Sequence, residues 1–126
     1  MNEFKFGQKS TQKLAGVEPE MAQLCKLALK YTTVDFGIID GLRTTQEQQK
    51  LFLEEKTELD GLTSKSLHQL GLAVDVVPVI TGNIWNVDLS NLTVQDDIVR
   101  AAWFEVYRAF MRAAMKLGFQ LEFGVA

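Results

Sequence analysis

The chain has 126 residues, of which 47% are hydrophobic and 23% charged, and its formal net charge at pH 7 is -3. A chain of this length forms one domain and can bury roughly two-thirds of the surface that its unfolded form exposes. The slightly acidic balance provides no basic stripe, which argues against nucleic acid as a partner. We therefore expect a compact, enzyme-like domain that is a monomer.

The N-terminal sequence, the hydropathy pattern and the cysteine content further restrict the class of protein. Residues 1–12 lack the apolar centre of a signal peptide, and no apolar run is long enough to form a membrane segment. The single cysteine cannot form an intrachain disulfide, which fits synthesis in the cytoplasm. Because Cys25 lies beside Leu24 and Ala28 on an apolar helix face, it is predicted to be a buried core thiol.

The first half of the chain predicts two helices separated by a strand. Pro19 suits the first turn of a helix, and apolar residues recur at helical spacing to about residue 31. A strand follows at 36–42. Thr44 to Glu47 has the pattern of a capping box, which opens a second helix to about residue 55. The polar stretch 56–65 predicts a loop.

The second half predicts a strand, a long helix and a final strand. Residues 72–80 are rich in Val and Ile and predict a strand that is entered through a turn at Gly71. A turn at 81–83, a loop at 84–91 and a second capping box at 93–96 are predicted to connect this strand to the long helix.

The long helix is predicted to run to about residue 117 and to end at Gly118, before a short strand at 119–123. The expected fold class is α+β, with about three helices packed against a small antiparallel sheet. The side of the long helix that faces the core is predicted to contain Ile98, Ala102, Phe104, Tyr107, Phe110, Met111 and Ala114.

The most informative segment runs from Ser66 to Asp75 and has the pattern S-x-H-x-x-G-x-A-x-D around the single histidine, His68. With average residue usage, five fixed residue types at fixed spacing arise by chance about once in a million start positions. His68 is predicted to lie in the loop before the strand, and Asp75 on the strand. An imidazole and a carboxylate that converge on one point are suitable zinc ligands. Outside this pattern, the two residues would be read as a surface histidine and a turn-capping aspartate.

This segment resembles the zinc-binding motif of the D-alanyl-D-alanine carboxypeptidase and L-alanyl-D-glutamate peptidase family, and the similarity is closest to the small phage endolysins. Residues 4–7 are similar to the endolysin opening, 35–44 to the strand that ends in the substrate-binding arginine, and 118–124 to the strand before the last catalytic segment. The resemblance implies a zinc metallopeptidase that cleaves peptidoglycan stem peptides, with the L-alanyl-D-glutamate bond as the expected target.

The resemblance also implies roles for individual residues. His68 and Asp75 become two of the three zinc ligands, and Arg43 becomes the cation that holds a substrate carboxylate or polarises its carbonyl. Ser66 would support the site by orienting the loop or the imidazole. The alternatives are a surface ion pair at the strand end for Arg43 and an ordinary turn serine for Ser66.

The chain departs from the family pattern at its C-terminal end. Family members continue past the position of Gly124 into an Asp/Glu-x-x-His segment, whose carboxylate is the general base and whose histidine is the third zinc ligand. Since the sequence ends at Ala126, we expect the domain 1–126 to lack that segment and to hydrolyse its substrate slowly or not at all. Glu122 lies in a stretch of chain that could approach the metal, but we expect it to be a solvated carboxylate on the final strand. The alternative functions are a non-catalytic remnant that binds wall peptides or metal only, and a D,D-carboxypeptidase.

The absence of a signal peptide agrees with the route that phage endolysins use. These enzymes reach the wall through a membrane lesion that a separate protein makes. The resemblance therefore implies a protein of the bacterial host cytoplasm that acts on the cell wall after the membrane has been permeabilised.

Overall fold

The computed structural model describes residues 2–79 and 96–123, which form four helices and one two-stranded antiparallel sheet. The predicted α+β class and the single small domain are confirmed. The first helix is missing from the prediction because its sequence is mostly polar, with only Ser10 and Leu14 buried. In chain order the elements are α1 (Gln8–Ala15), α2 (Pro19–Tyr31), β1 (Phe36–Asp40), α3 (Thr45–Leu53), β2 (Asp75–Pro78) and α4 (Asp96–Leu117).

The helix ends follow the predicted signals. Helix α2 begins at Pro19, where the missing N–H of proline removes no helical hydrogen bond. Helix α3 follows a complete capping box, in which the Thr44 hydroxyl accepts from the Glu47 N–H and the Glu47 carboxylate accepts from the Thr44 N–H, each at 3.1 Å. Gly118 ends α4 with a φ of 76°, a left-handed conformation that glycine adopts without strain.

The register of the sheet places two aspartates opposite each other at one end. Strands β1 and β2 pair antiparallel, with Phe36 opposite Pro78 at the far end and Asp40 opposite Asp75 at the near end. Strand β2 is shorter than the predicted strand at 72–80 because β1 ends at Asp40 and offers no pairing partner to residues 72–74. The end of this short sheet positions the candidate site.

The hydrophobic core lies between α2, α4 and β1. Phe36 is 2% exposed, and its ring packs against Phe110 with 5.2 Å between the ring centroids. Cys25 is fully buried, as predicted, and burial raises the pKa of its thiol to about 12. It is therefore a protonated packing residue. The buried core residues are Leu14, Val17, Leu24, Cys25, Ala28, Leu29, Phe36, Ile38, Val106, Ala109, Phe110, Ala113 and Ala114.

Helix α4 buries a different face from the predicted one. Of the predicted inward-facing residues, Ala102, Phe110 and Ala114 are buried, whereas Ile98, Phe104, Tyr107 and Met111 are exposed; Val106, Ala109 and Ala113 complete the buried face. The prediction favoured large apolar side chains, whereas four of these six buried residues are alanines, which allow α4 to approach α2 closely.

The predicted final strand at 119–123 is wrong. These residues pair with no strand in the described part of the chain and are held by side-chain packing: Phe119 and Leu121 lie against the core, and the Phe123 ring lies 4.2 Å from that of Tyr107. The predicted turn at 81–83, loop at 84–91 and capping residues at 93–95 lie outside the described residues. Among the described helices, none has both the length and the apolarity that crossing a membrane requires.

Candidate metal and substrate site

His68 lies in a tight turn that leads into β2. The Leu72 N–H donates to the Leu67 carbonyl at 2.9 Å and closes the turn around the histidine. Gly71 has a φ of 71°, and a Cβ at this position would lie 3.2 Å from the backbone nitrogen of Glu18, whose N–H donates to the Gly71 carbonyl. Two features therefore favour glycine at this position of the motif: its left-handed backbone conformation and the close approach of the residue that precedes α2.

Two hydrogen bonds join this turn to the chain just after β1. The Arg43 N–H donates to the His68 carbonyl oxygen at 2.9 Å, and His68 Nδ1 lies 2.8 Å from the Gly41 carbonyl oxygen. Because a carbonyl oxygen can only accept, Nδ1 carries a proton and donates. In the neutral imidazole this leaves Nε2 with a lone pair, which is what a metal ligand needs.

Three titratable side chains converge at this point. His68 Nε2 lies 3.4 Å from Asp75 Oδ1, and His68 Nδ1 lies 3.9 Å from Asp40 Oδ2. One possible ligand atom from each of the three residues lies within 4.8 Å of the others, and all three residues are partly buried. Zinc accepts imidazole nitrogen and carboxylate oxygen, so this cluster is a candidate metal site.

The electrostatics of the cluster favour a positive charge on the imidazole. The hydrogen bond with Asp75 is the largest cause that raises the pKa of His68 above its ordinary value, and the bond to Gly41 acts in the same direction. Burial and the charge of Arg43 oppose the rise. In the metal-free protein the site therefore stabilises a proton on His68, at a position that a metal cation can take instead.

Arg43 is held on both sides of its guanidinium group. Nη2 donates to Asp40 Oδ2 at 2.7 Å, and Nη1 donates to Gln48 Oε1 at 2.8 Å. The Arg43 side chain is only 13% exposed, so its ion pair with Asp40 at the end of β1 is partly buried. A guanidinium has five N–H donors, and three of them take no part in these two bonds.

The family follows from comparison with known proteins. A family model described as phage L-alanyl-D-glutamate peptidase matches residues 2–126. The chain belongs to this family. It is 36% identical over 122 residues to the L-alanyl-D-glutamate peptidase of Escherichia phage T5, a match that covers 96% of this chain and 80% of that protein. The predicted resemblance to this family of peptidases is confirmed.

A solved structure supports the same assignment. The chain is similar to the L-Ala D-Glu endopeptidase ChiX of Serratia marcescens, with a TM-score of 0.74 and 27% sequence identity, over 97% of this chain and 80% of that one. The α+β fold described above is thus the fold of an L-Ala D-Glu endopeptidase.

Within this peptidase fold, the predicted residues His68, Asp75 and Arg43 lie in one cluster with Asp40, and Ser66 lies in the turn that carries His68. Ser66 is 5% exposed; its hydroxyl accepts from the Gln69 N–H at 3.2 Å, and its own N–H donates to Gln69 Oε1 at 2.9 Å. These bonds stabilise the turn that carries His68, which agrees with the predicted role of Ser66 in orienting this loop. The roles of the four residues as ligands, substrate cation and support stay predictions.

Sequence reasoning missed two residues of this site, Asp40 and Gln48. Asp40 had a signal, since it is a charged residue that ends an apolar strand three positions before Arg43. Gln48 had none, because nothing in the sequence marks one glutamine of a glutamine-rich helix as buried. Glu122 is exposed, as predicted.

Proposed function

We propose that this chain is a zinc-dependent peptidase that cleaves the L-alanyl-D-glutamate bond of peptidoglycan stem peptides. The observation that carries the proposal is the imidazole of His68, whose Nδ1 is bonded to the Gly41 carbonyl while Nε2 faces Asp75. The phage and bacterial relatives are both named for the L-alanyl-D-glutamate bond, which favours this specificity over release of terminal D-alanine by a D,D-carboxypeptidase.

His68 and Asp75 are the proposed zinc ligands, and Asp40 is a further carboxylate within reach. The donor set fits zinc, since it combines an imidazole nitrogen with carboxylate oxygens close enough to share one ion. A zinc ion held there would act as a Lewis acid on the scissile carbonyl. The bond from Nδ1 to Gly41 would hold the ring in the orientation and tautomer that the ion requires.

Arg43 is the proposed partner of a substrate carboxylate. D-glutamate is joined to the next residue of the stem peptide through only one of its two carboxyl groups, so a second carboxyl group is present beside the scissile bond. A guanidinium can donate two parallel hydrogen bonds to such a carboxylate. Two N–H groups of Arg43 already bond Asp40 and Gln48, and the other three supply this fork.

From the family resemblance, we expect the general base and the third zinc ligand in a segment after the position of Gly124. The test therefore compares the 126-residue chain with the same chain extended after Ala126 by an Asp/Glu-x-x-His segment. Both proteins receive zinc and purified peptidoglycan, and newly exposed amino groups on D-glutamate are labelled and counted. General acid-base assistance typically contributes about a hundredfold to ten-thousandfold, so the extended protein should be faster by at least that order.

The outcomes separate the candidate functions. Cleavage by the extended protein that is abolished by a chelator and by Asp75→Ala supports the proposal. Free D-alanine in place of amino-terminal D-glutamate would identify a D,D-carboxypeptidase. Zinc and wall binding without cleavage by either protein would identify a non-catalytic remnant of the fold.

We also propose that the protein acts on the wall from the cytoplasm of the bacterial host once a separate protein has permeabilised the membrane. The match to a family of phage peptidases supports this route. Bacteria that express the active extended protein should remain intact until a membrane-permeabilising agent is added and should then lyse. Lysis without that agent would contradict the proposed route.

A further inference from the structure

Gln48 is an unusual residue for its position in α3. All residues of this helix are described, and Gln48 is the one that is buried, with 0% of its surface exposed. The inward-facing position of a surface helix is normally apolar. A buried amide is unfavourable unless hydrogen bonds satisfy both of its ends. The use of glutamine here therefore points to a requirement for its amide group.

Both ends of the Gln48 amide are bonded. Oε1 accepts from Arg43 Nη1 at 2.8 Å, and Nε2 donates to the Leu59 carbonyl oxygen at 2.8 Å. Nε2 also lies 3.5 Å from Thr57 Oγ1. Arginine can only donate and a carbonyl can only accept, so a single orientation of the amide satisfies both partners. Gln48 thus ties the guanidinium of Arg43 to the loop at 57–61.

This loop is itself tied to the turn that carries His68. Gly61 has a φ of 85°, and a Cβ at this position would lie 3.0 Å from Gln48 Cγ, so the glycine allows the loop to close over Gln48. The Gly61 carbonyl accepts from Gln69 Nε2 at 3.1 Å, and Gln69 Oε1 accepts from the Ser66 N–H. Two glutamine amides therefore connect the arginine, the loop and the turn of the metal cluster.

We propose that Gln48 is a positioning residue, which holds the Arg43 guanidinium in the orientation needed to bind the substrate carboxylate. Asp40 bonds the other side of the guanidinium, but its carboxylate also belongs to the metal cluster and neutralises positive charge. The amide of Gln48 holds the group without reducing its charge. The substrate part of this inference rests on the proposed function, whereas the orientation of Arg43 is a property of the free protein.

Three variants test the inference. Gln48→Met keeps the length of the side chain and removes both hydrogen bonds. Gln48→Glu keeps an acceptor for Arg43 but removes the donor to Leu59 and adds a neutralising charge. Gln46→Met is the matched control, because Gln46 is exposed on the same helix. Thermal unfolding of each variant shows whether it folds. If Gln48→Met does not fold, Gln48→Glu decides the test, because its carboxylate should hold Arg43 but neutralise its charge and so lower kcat/KM, and an unchanged kcat/KM would overturn the inference.

The first measurement needs no activity. Nuclear magnetic resonance of the free protein should show separate, slowly exchanging Nη–H signals for Arg43 in wild type, Gln46→Met and Gln48→Glu. In Gln48→Met these signals should merge, because the guanidinium gains freedom to rotate. Unchanged Arg43 signals in Gln48→Met would overturn the inference, whether or not the protein cleaves peptidoglycan.

The second measurement uses the extended, active protein and L-alanyl-D-glutamate peptides. Since a hydrogen bond to a charged group contributes about 1.5 to 3 kcal/mol, kcat/KM should fall about tenfold to hundredfold in Gln48→Met, with unchanged zinc content. In an Arg43→Lys background, Gln48→Met should add little further loss. Additive losses would show that Gln48 acts on the fold and not through the guanidinium. If the extended protein without further substitutions is itself inactive, the proposed function is refuted, and the resonance result alone decides on Gln48.

Discussion

The helical core and the candidate site are held together by different interactions. Helices α2 and α4 enclose an apolar cluster in which Leu24, Cys25 and Ala113 are at most 1% exposed. The site at the end of the sheet consists of polar side chains, with Arg43 and Gln48 bonded to neighbours that are themselves polar. Buried apolar volume determines the stability of the helical core. The orientation of hydrogen-bond donors and acceptors determines what the candidate site can bind.

From this comparison we expect that the stability of the fold and the chemistry of the site can be changed separately in this chain. A loss of core volume should lower the free energy of unfolding without altering metal affinity in the folded protein. A change of one donor in the site should alter metal or substrate binding with a smaller effect on unfolding. The following predictions test this separation, from the largest expected effect to the smallest.

Loss of the single imidazole should have the largest effect. In His68→Ala, zinc titration by calorimetry should no longer show the one site of the wild-type protein, because only carboxylates remain in the cluster. Leu67→Ala changes an exposed neighbour in the same turn, 56% exposed, and should bind zinc as the wild type does. Equal zinc binding by the wild type and His68→Ala would remove the histidine from the metal site.

A cavity in the core should destabilise the protein strongly. Leu24 is 1% exposed, so Leu24→Ala should lower the free energy of unfolding by about 2 to 5 kcal/mol. Leu53 is 80% exposed, so Leu53→Ala is the control and should change the free energy of unfolding by no more than about 0.5 kcal/mol. Urea unfolding measures both. If zinc affinity of folded Leu24→Ala also fell, the core and the site would not be separable.

Replacement of the guanidinium should affect turnover and not metal binding. Arg43→Lys keeps the charge but cannot bond Asp40, Gln48 and a substrate carboxylate in the same planar geometry. Turnover of an L-alanyl-D-glutamate peptide by the extended protein should fall about tenfold to hundredfold, since bonds to charged groups contribute about 1.5 to 3 kcal/mol. Arg100→Lys, at an exposed ion pair of α4, is the control. Normal turnover by Arg43→Lys would exclude the proposed role.

The raised pKa of His68 predicts opposite pH dependences for stability and for zinc binding. The bond to Asp75 stabilises the protonated ring in the metal-free protein. This contribution to stability is complete below the ordinary pKa of 6.5 and is lost as the pH rises through the raised value in the folded state. Zinc needs the neutral ring, so its affinity should instead increase over that same pH range and level off above it.

Urea unfolding and zinc titration should be measured in parallel from about pH 5 to about pH 9, the range in which histidine titrates. His68→Gln, which has no titrating ring, is the control for the direction of both pH dependences. Zinc affinity that is independent of pH in the wild type would contradict the assignment of His68 as a ligand.

The smallest expected effect concerns the cap of α3, which carries Gln48 but lies outside the metal cluster. Thr44→Ala removes the hydroxyl that accepts from the Glu47 N–H and should destabilise the protein by about 1 kcal/mol. The backbone N–H and the hydroxyl of Thr44 lower the pKa of the Glu47 carboxyl, so the part of the cap that depends on this carboxylate is present above the ordinary pKa of glutamate and is lost as the pH falls through the lowered value. Equal stability of Thr44→Ala and wild type at pH 7 would show that the cap is dispensable.

Local signals in the sequence predicted much of the fold. Pro19, the capping box at Thr44 and Gly118 each act within a few residues of the chain, and the corresponding helix ends lie where these signals placed them. The buried face of α4 could not be predicted in this way. Which face is buried depends on the packing of α4 against α2, and that information lies far away in the sequence.

The sequence by itself predicted the family and singled out His68, Asp75 and Arg43, because the motif from Ser66 to Asp75 has fixed spacing and Arg43 follows a predictable strand. Only the tertiary structure decided which groups surround them. The antiparallel register places Asp40 opposite Asp75, and the packing of α3 buries Gln48 against Arg43. The first contact joins segments that lie far apart along the chain. The second joins residues only five positions apart, but it forms because α3 packs its Gln48 side inward. Spacing alone reveals neither contact, since both depend on how the elements pack together.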